Sequence, residues 1–300
     1  MRTLAILNPA AGKHAGQRAW EHIRQDVASA RLWECATTRG AGHARELAQA
    51  AAGDGYERIV AIGGDGTVCE VANGLAYSST SLAVVPAGTG NDLARNLGIP
   101  RHPAAAANLA ASGIPRPIDL CRIETDSTSA YFLNVAGFGF DAEVASRVNR
   151  KPKHLGGTLP YVAGVLETLW RYRSPRMRIR IDGQLVAQAV FLVAVGNCAT
   201  YGGGMRIVPA ARPDDGLLDV CLVRDLRRLE VLKLLPRLYS GGHVGHPSVA
   251  LFRCREVSAD ADDRVLCQAD GELVGGLPAR FGIVPAALRC VTGPVAGSPS

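Results

Sequence analysis

Short apolar runs alternate with longer segments of helical pattern through the first third of the chain. Residues 4–7, 60–62 and 82–85 are apolar and rich in β-branched side chains. Runs of this length and composition are typical of strands that are buried on both faces of a parallel sheet. Because the segments between them are long enough for helices, the pattern predicts an α/β domain with a parallel, doubly wound sheet.

Weaker patterns complete this first domain. A further strand is predicted over residues 33–38, and helices are predicted to end near residue 30 and to span residues 41–52 and 103–112. Glycine follows each of the last two helices, as is common where a helix ends. These assignments place the carboxyl ends of the strands along one edge of the sheet, where ligands of such domains bind.

The pattern changes after Pro117, because short strands then dominate. They are predicted over residues 118–123, 131–135, 177–181, 187–196, 217–223, 249–257, 265–270 and 279–284. The exceptions are a helix over residues 159–172 and a basic helix over residues 226–239. Strands with so little helix between them predict an antiparallel β-sandwich. We place the boundary near residue 120, with an α/β domain over residues 1–120 and a β-sandwich domain over residues 121–284.

Two glycine-rich turns follow the apolar runs at residues 60–62 and 82–85. The first is Gly63-Gly64-Asp65-Gly66-Thr67, and the second extends from Gly88 to Asp92. A strand, a glycine turn and a helix start, in this order, point backbone N–H groups at a phosphate. One such turn is as often a plain tight connection, but two turns at strand ends converge on one crevice. Neither turn has the dinucleotide or Walker A spacing, so a phosphate site of another type is predicted.

Composition and charge narrow the choice of ligands. The 300 residues are 47% hydrophobic and 20% charged, with 33 basic and 27 acidic side chains and a net charge of +6. This mild excess suits a phosphate-rich ligand or an anionic membrane surface. It is too weak and too scattered to predict nucleic acid binding. The longest apolar run, residues 189–195, is far shorter than the roughly 20 residues of a membrane-spanning helix.

The cysteines and the start of the chain bear on the compartment. The eight cysteines are spread singly without a CxxC pair, and Met1-Arg2 leads directly into a strand without a signal-peptide pattern. Reduced cysteines in a cytoplasmic protein are therefore expected.

Three polar turns of the second domain are candidates for chemistry. Residues 202–204 are consecutive glycines, residues 213–217 place Asp214 and Asp215 in one turn, and Asp270-Gly271-Glu272 follows a predicted strand. Each is an ordinary turn in the simplest interpretation. A carboxylate with neighbouring carbonyls can also bind a hard cation. A carboxylate that faces the phosphate crevice can accept a proton.

Taken together, these stretches resemble the diacylglycerol kinase catalytic family, and most closely its bacterial YegS-like lipid kinases. The matching stretches, in family order, are Asn8-Pro9, residues 63–67, residues 86–92, Asn197, residues 202–204, residues 215–218, residues 270–272 and residues 283–290. The GGDG turn alone also occurs in NAD kinases and phosphofructokinases. Its combination with the later turns is specific for lipid kinases and spans nearly the whole chain.

The resemblance implies an N-terminal ATP-binding domain, a C-terminal β-sandwich lipid-substrate domain and a site between them. It also implies that the final segment, within residues 285–300, returns to complete the first domain. The implied ATP-binding residues are Asn8, Thr38, Gly63, Gly64, Asp65, Gly66, Thr67, Val68, Cys69, Thr89 and Asn91. Cys69 stands where the family usually has Asn, which removes that side-chain contact but not a backbone one.

The resemblance also implies the catalytic and metal-binding groups. Glu272 would accept the proton from the lipid hydroxyl, and Asp65 is the rival base because the sphingosine kinase branch uses the Asp of this turn. A structural Mg²⁺ would bind Asp215 and the carbonyls of Arg212 and Leu217. A second Mg²⁺ would accompany the ATP phosphates, oriented by Asp65.

The predicted function is therefore an ATP-dependent lipid kinase acting on a hydroxyl of a lipid such as diacylglycerol or phosphatidylglycerol. The alternatives are an NAD kinase-like enzyme and a nucleotide-binding regulator without catalysis. A lipid substrate predicts peripheral contact with an anionic membrane, and Leu226, Leu229, Leu232 and Leu235 with their basic neighbours form a candidate interfacial helix. An amphipathic helix packed on the β domain explains the same pattern. Oligomeric state is left open, and a homodimer is one possibility.

Overall fold

The computed structural model describes residues 1–149 and 158–294. Its first domain is built on a parallel sheet in which β1 lies between β2 and β3, and β3 also pairs with β4. Every residue of β1, β3 and β4 is buried, as expected for strands covered on both faces. The elements are β1 (Thr3–Leu7), α1 (Ala11–Asp26), β2 (Glu34–Thr37), α2 (His43–Gly53), β3 (Arg58–Gly63), α3 (Asp65–Leu75), β4 (Ser81–Pro86), α4 (Asp92–Asn96) and α5 (Pro103–Ser112).

The second domain consists mainly of antiparallel strands. Its elements are β5 (Pro115–Thr125), β6 (Ser129–Phe132), β7 (Val135–Gly139), α6 (Phe140–Asn149), α7 (Thr158–Arg171), β8 (Arg176–Ile181), β9 (Gln184–Gly196), β10 (Leu218–Arg224), α8 (Arg228–Leu234), β11 (Val249–Cys254), β12 (Glu256–Ala261), β13 (Leu266–Ala269), β14 (Glu272–Gly276) and β15 (Ala279–Val291). The first part of β9 pairs with β8, and its last part pairs with β7 and β10. The long strand thus belongs to both layers.

The core of the second domain lies between these two layers. Phe138 of β7 and Phe281 of β15 stack with ring centroids 5.6 Å apart, and both are fully buried. Apolar side chains of β8, β10 and β12 join the same cluster. The predicted α/β domain followed by an antiparallel β-sandwich is therefore the observed fold.

The last strand connects the two domains. β15 pairs antiparallel with β5 over most of its length, and Cys290 pairs in parallel with Leu82 of β4. The register shifts between Val284 and Leu288, where Ala286 has a positive φ of 55°. This irregularity redirects a strand predicted to stop at residue 284, so that it continues to Val291 beside the first sheet.

Several boundaries differ from the predictions for local reasons. The strand predicted over residues 131–135 is divided between β6 and β7, and the strand over residues 249–257 is divided at Arg255. The predicted basic helix is an α-helix only as far as Leu234, and a short 3-10 helix follows from Pro236. Proline has no N–H to continue the α-helical hydrogen bonds. α6 and β14 were not predicted, because the apolar residues of neither segment recur with a clear helical or strand period.

Near the start of the chain, α1 ends at Asp26 and a 3-10 helix covers Ala28–Leu32, where one longer helix was predicted. Within the described residues, no helix combines the length and the apolar character needed to cross a bilayer. The eight cysteines are free thiols, as expected from their scattered positions.

Candidate active site

Three loops meet at the carboxyl edge of the parallel sheet, and they approach each other as bare main chain. A Cβ on Gly88 would lie 2.5 Å from the Cα of Gly64. Gly12 falls within the range of α1 but is not helical, with a φ of 54°, and a Cβ there would lie 2.2 Å from the carbonyl oxygen of Ala87. Real Cβ atoms do not approach backbone so closely, so these positions require glycine. The loops after β1, β3 and β4 therefore form one surface in which backbone groups are within reach of a ligand.

Asn8 ties the first loop to the start of α3. Its Nδ2 donates to the Thr67 hydroxyl at 2.9 Å, and its Oδ1 accepts from the Ala10 N–H at 3.1 Å. Thr67 is buried, as is the neighbouring Val68. The side chains of Asn8 and Thr67, which were predicted to contact ATP, thus hydrogen-bond within the protein instead. Any contact of residues 67 and 68 with ATP would come from their main chain.

The loop after β4 is closed by Asn91. Its amide accepts from the Gly88 N–H and donates to the Gly88 carbonyl, both at 2.9 Å. Thr89 lies at the exposed tip of this loop. Of the two predicted ATP-binding residues here, Asn91 shapes the loop and Thr89 has an accessible hydroxyl.

Asp65 lies where α3 and α4 begin. Its Oδ1 accepts from the Leu93 N–H at 3.3 Å, and a Cβ on Gly90 would lie 2.8 Å from its Oδ2. The charge of Asp65 contributes to raising the pKa values of Asp92 and Asp270, although burial is the larger cause in both. The carboxylate of Asp65 therefore helps to order the glycine-rich loops and lies near the second domain.

The turn between β13 and β14 belongs to the second domain and forms its side of the cleft between the two domains. The Asp270 carboxylate accepts backbone N–H groups of Leu133, Asn134 and Val135 at 2.8, 2.9 and 3.2 Å. Burial raises the pKa of Asp270, and these three hydrogen bonds oppose the shift. Asp270 thus fixes the break between β6 and β7, two segments that sequence reasoning treated as one strand.

Glu272, at the start of β14, differs from Asp270 in being exposed. Among residues 1–149 and 158–294, its carboxylate makes no hydrogen bond or ion pair with another side chain. Burial raises the pKa of Cys69 on α3 well above its ordinary value, and the charges of Asp270 and, more weakly, Glu272 contribute. The turn that carries Asp270 and Glu272 therefore lies near α3, the helix that begins within the GGDGT turn. The catalytic roles of Glu272 and Asp65 stay predictions.

Polar groups across the domain seam hold these two sides together. Asn96 of α4 accepts from the Thr200 hydroxyl at 2.9 Å and donates to Asn134 Oδ1 at 3.1 Å. The Gly203 N–H donates to the buried Asp92 carboxylate at 2.7 Å. The consecutive glycines thus let one loop of the second domain approach α4. Sequence reasoning missed Asn96 and Asn134, because no local signal marks contacts between residues 38 and 104 positions apart.

The predicted structural metal site has a different partner in the structure. Asp215 Oδ1 accepts from the Leu217 N–H at 3.1 Å, and its Oδ2 pairs with the Arg253 guanidinium. No cluster of three His, Cys, Asp or Glu side chains suited to a metal occurs in the described part of the chain. The Asp215 carboxylate is thus already paired, and it is not free to bind a cation together with the carbonyls of Arg212 and Leu217. The metal assignment stays a prediction.

Comparison with known proteins identifies this arrangement. Residues 2–123 match the family model of the diacylglycerol kinase catalytic domain, and residues 134–292 match that of the YegS C-terminal NAD kinase beta sandwich-like domain. The chain belongs to the diacylglycerol kinase catalytic family. Its GGDGT turn lies in the first matched region and its DGE turn in the second.

Individual relatives agree with this family over nearly the whole chain. A diacylglycerol kinase of Mycobacterium tuberculosis is 34% identical over 96% of this chain and 94% of its own length. A diacylglycerol kinase of Bacillus subtilis is 31% identical, with coverages of 93% and 92%. A probable lipid kinase YegS-like protein of Pseudomonas aeruginosa is 34% identical, with coverages of 93% and 91%.

The fold of this family member also has a counterpart among solved structures. The crystal structure of a Bacillus anthracis protein, provisionally described as a diacylglycerol kinase, superposes with a TM-score of 0.80 at 26% identity. The superposition covers 98% of this chain and 95% of that one. Both sides of the cleft therefore lie within a fold shared with a lipid kinase family.

Proposed function

We propose that this protein is an ATP-dependent lipid kinase that transfers the γ-phosphoryl group of ATP to a lipid hydroxyl. Two observations support this proposal: the loops of the first domain approach each other as bare glycine main chain, and the second-domain turn near α3 carries the unpaired carboxylate of Glu272. Family membership supports the kinase part of this proposal. The nucleotide, the acceptor group and the residue roles below are the proposed details.

The first domain would bind the nucleotide phosphates. Its converging loops offer backbone N–H groups at the starts of α3 and α4, which suit an anion. The exposed Thr89 hydroxyl adds one side-chain donor, and Thr38 follows β2 at the same edge, where its N–H donates to the Leu7 carbonyl at 2.9 Å. Phosphoryl transfer needs positioning and charge neutralisation more than covalent chemistry from the protein, which this arrangement supplies.

The Mg²⁺ that accompanies ATP would neutralise phosphate charge when bound. A magnesium ion of this kind is held by one or two carboxylates together with the phosphates, so a dedicated protein cage is not required. The carboxylate of Asp65 is the group that fits this role. It lies inside the glycine loops, and its Oδ1 bond to Leu93 fixes its orientation.

Glu272 is the proposed acceptor of the lipid hydroxyl proton. Because it is exposed and has no described partner, its carboxylate can contact a hydroxyl without breaking a structural bond. Asp65 is the rival base, but its carboxylate already orders α4. A general base must reach the proton that it removes, and Glu272 belongs to the domain opposite the phosphate loops.

The acceptor would be a lipid such as diacylglycerol or phosphatidylglycerol, so the protein would work at a membrane surface. We accordingly expect a cytoplasmic protein that associates peripherally with anionic membranes.

The test is to offer radiolabelled ATP with diacylglycerol, phosphatidylglycerol, sphingosine, ceramide and NAD in parallel. Label in an organic-extractable product supports the lipid kinase. Label only in NADP would instead identify an NAD kinase-like enzyme. Nucleotide binding by calorimetry with no labelled product from the panel would favour a regulator without catalysis.

A further inference from the structure

Over residues 164–171 of helix α7, apolar side chains lie on two faces, and one of these faces packs against the core. Val165 and Leu169 are buried in a cluster with strands of the second domain. Leu166 and Trp170, one helical turn apart, are 44% and 63% exposed. Residues at i and i+4 lie on the same side of a helix, so these two form an outward apolar patch.

Helix α8 extends this patch. The guanidinium carbon of Arg228 lies 5.1 Å from the centroid of the Trp170 ring, which places α8 directly beside α7. Leu229 is 68% exposed, whereas Val231 and Leu234 are buried. Of the four leucines in the predicted interfacial helix, Leu226, Leu232 and Leu235 pack partly against the core, and only Leu229 is freely exposed.

The rim of the patch is basic. Arg171, Arg173, Arg227, Arg228 and Lys233 are all exposed. Glu167 offsets part of this charge, since it pairs with Arg171 at 3.4 Å. Beside α7 lies a cavity of about 330 Å³ with four arginines in its lining against Glu143 and Asp263; the arginines are Arg147, Arg171, Arg173 and Arg264.

We propose that the exposed faces of α7 and α8 form the surface that docks on an anionic lipid bilayer. A tryptophan between arginine and leucine suits the boundary between headgroups and acyl chains, where an aromatic ring inserts and cations stay near phosphates. The inference rests on the proposed lipid kinase function, because a lipid acceptor must be taken from a membrane. It assigns insertion to Trp170, Leu166 and Leu229.

The first experiment measures sedimentation with vesicles of phosphatidylglycerol and phosphatidylcholine, or of phosphatidylcholine alone, without ATP. Wild type should bind the anionic vesicles more strongly, and salt should weaken this binding. Trp170→Ala and the triple change R227Q/R228Q/K233Q should each weaken it by about 10-fold or more. Equal sedimentation of wild type with both vesicle types, or unchanged binding of both variants, would overturn the proposal.

A matched control changes the same residue types elsewhere. Leu32, which is 86% exposed, and Arg101 lie on the first domain. The double variant L32A/R101Q should bind vesicles like wild type. If this control loses as much vesicle binding as the α7 and α8 variants, the whole protein surface attracts the vesicles, and the assignment of docking to α7 and α8 fails.

Tryptophan fluorescence tests insertion directly. Vesicles with brominated acyl chains should quench wild type, and Trp170→Phe should remove this quenching while keeping most of the binding, because Trp20 and Trp33 lie in the first domain. If the brominated vesicles do not quench the wild-type fluorescence, the inferred insertion of Trp170 is wrong. Concentration-dependent dimerisation that Trp170→Ala abolishes, without vesicle binding, would show that a second copy covers the patch.

The proposed function can fail independently. Each variant should phosphorylate a short-chain, water-dispersed acceptor like wild type, since the patch is not part of the cleft. Absence of phosphorylation by wild type would reject the kinase proposal while the vesicle results stood on their own.

Discussion

On the first-domain side of the cleft, Asn8, Thr67 and Asn91 are hydrogen-bonded within the loops themselves, whereas Glu272 on the second-domain side has no described partner. The loops thereby offer main-chain groups and one exposed hydroxyl, which suit a phosphate. The second domain offers an uncommitted carboxylate, which suits proton removal. A side chain in a matched motif can therefore serve either the shape of a site or its chemistry, and its hydrogen bonds show which of the two it serves.

Replacing Glu272 gives the largest expected effect on this comparison. Glu272→Gln keeps the shape and loses the basicity, so turnover should fall by about 10²–10⁴-fold while ATP affinity is nearly unchanged. Asp65→Asn should instead raise the ATP and Mg²⁺ concentrations needed for activity, because it disturbs the phosphate loops. Steady-state rates against lipid, ATP and Mg²⁺ for both variants make the measurement.

The opposite pattern would exchange the two roles. If Glu272→Gln turns over at nearly the wild-type rate while Asp65→Asn is inactive with normal ATP and Mg²⁺ affinity, Asp65 is the base. Unfolding midpoints of both variants serve as the control for folding.

Gly88→Ala tests whether the first side depends on bare main chain. Its new Cβ would meet the Gly64 Cα at 2.5 Å, so the loops must separate. Overpacking of this kind costs about 1–3 kcal/mol, and we expect weaker ATP binding together with a lower unfolding midpoint. Gly40→Ala is the matched control, because a Cβ there has nothing within 4 Å. Normal ATP affinity in Gly88→Ala would show that the packing of these loops is irrelevant to the nucleotide.

The local part of this site was predictable from sequence, and its tertiary part was not. Buried strands followed by glycine turns are local patterns, so the fold class and the positions of the glycine-rich loops could be predicted. The roles of Thr67 and Asp270 could not, because their partners Asn8 and residues 133–135 are distant in the chain. The basic helix predicted over residues 226–239 ends at Leu234, and its hydrophobic periodicity did not tell which of its leucines the core covers.

Thr89→Val tests a smaller contribution to ATP binding, that of a single side-chain hydroxyl. Thr89 is exposed at the loop tip, so its hydroxyl can be removed without breaking a bond that shapes the loop. The loss of one hydrogen bond to a phosphate should weaken ATP binding by roughly 2- to 10-fold, with an unchanged unfolding midpoint. Calorimetry of ATP binding measures this. Unchanged affinity would mean that backbone groups alone hold the phosphates.

The smallest expected effect concerns the second domain, where Arg253 and a predicted Mg²⁺ compete for Asp215. Arg253 is half exposed, so losing its pair with Asp215 in Arg253→Gln should cost about 1 kcal/mol, and its 3.7 Å contact with the Asp219 carboxylate is lost as well. The unfolding midpoint should fall by about 1–3 °C in the absence of divalent ions. If Asp215 binds a metal, Mg²⁺ should restore stability to this variant, with a smaller effect on wild type, where the guanidinium must first move.

Asp215→Asn, measured with Mg²⁺ and with a chelator, is the control and should not respond. An equal response of wild type and Arg253→Gln would show that Arg253 does not compete, and no response in either would leave Arg253 as the sole cation of this carboxylate.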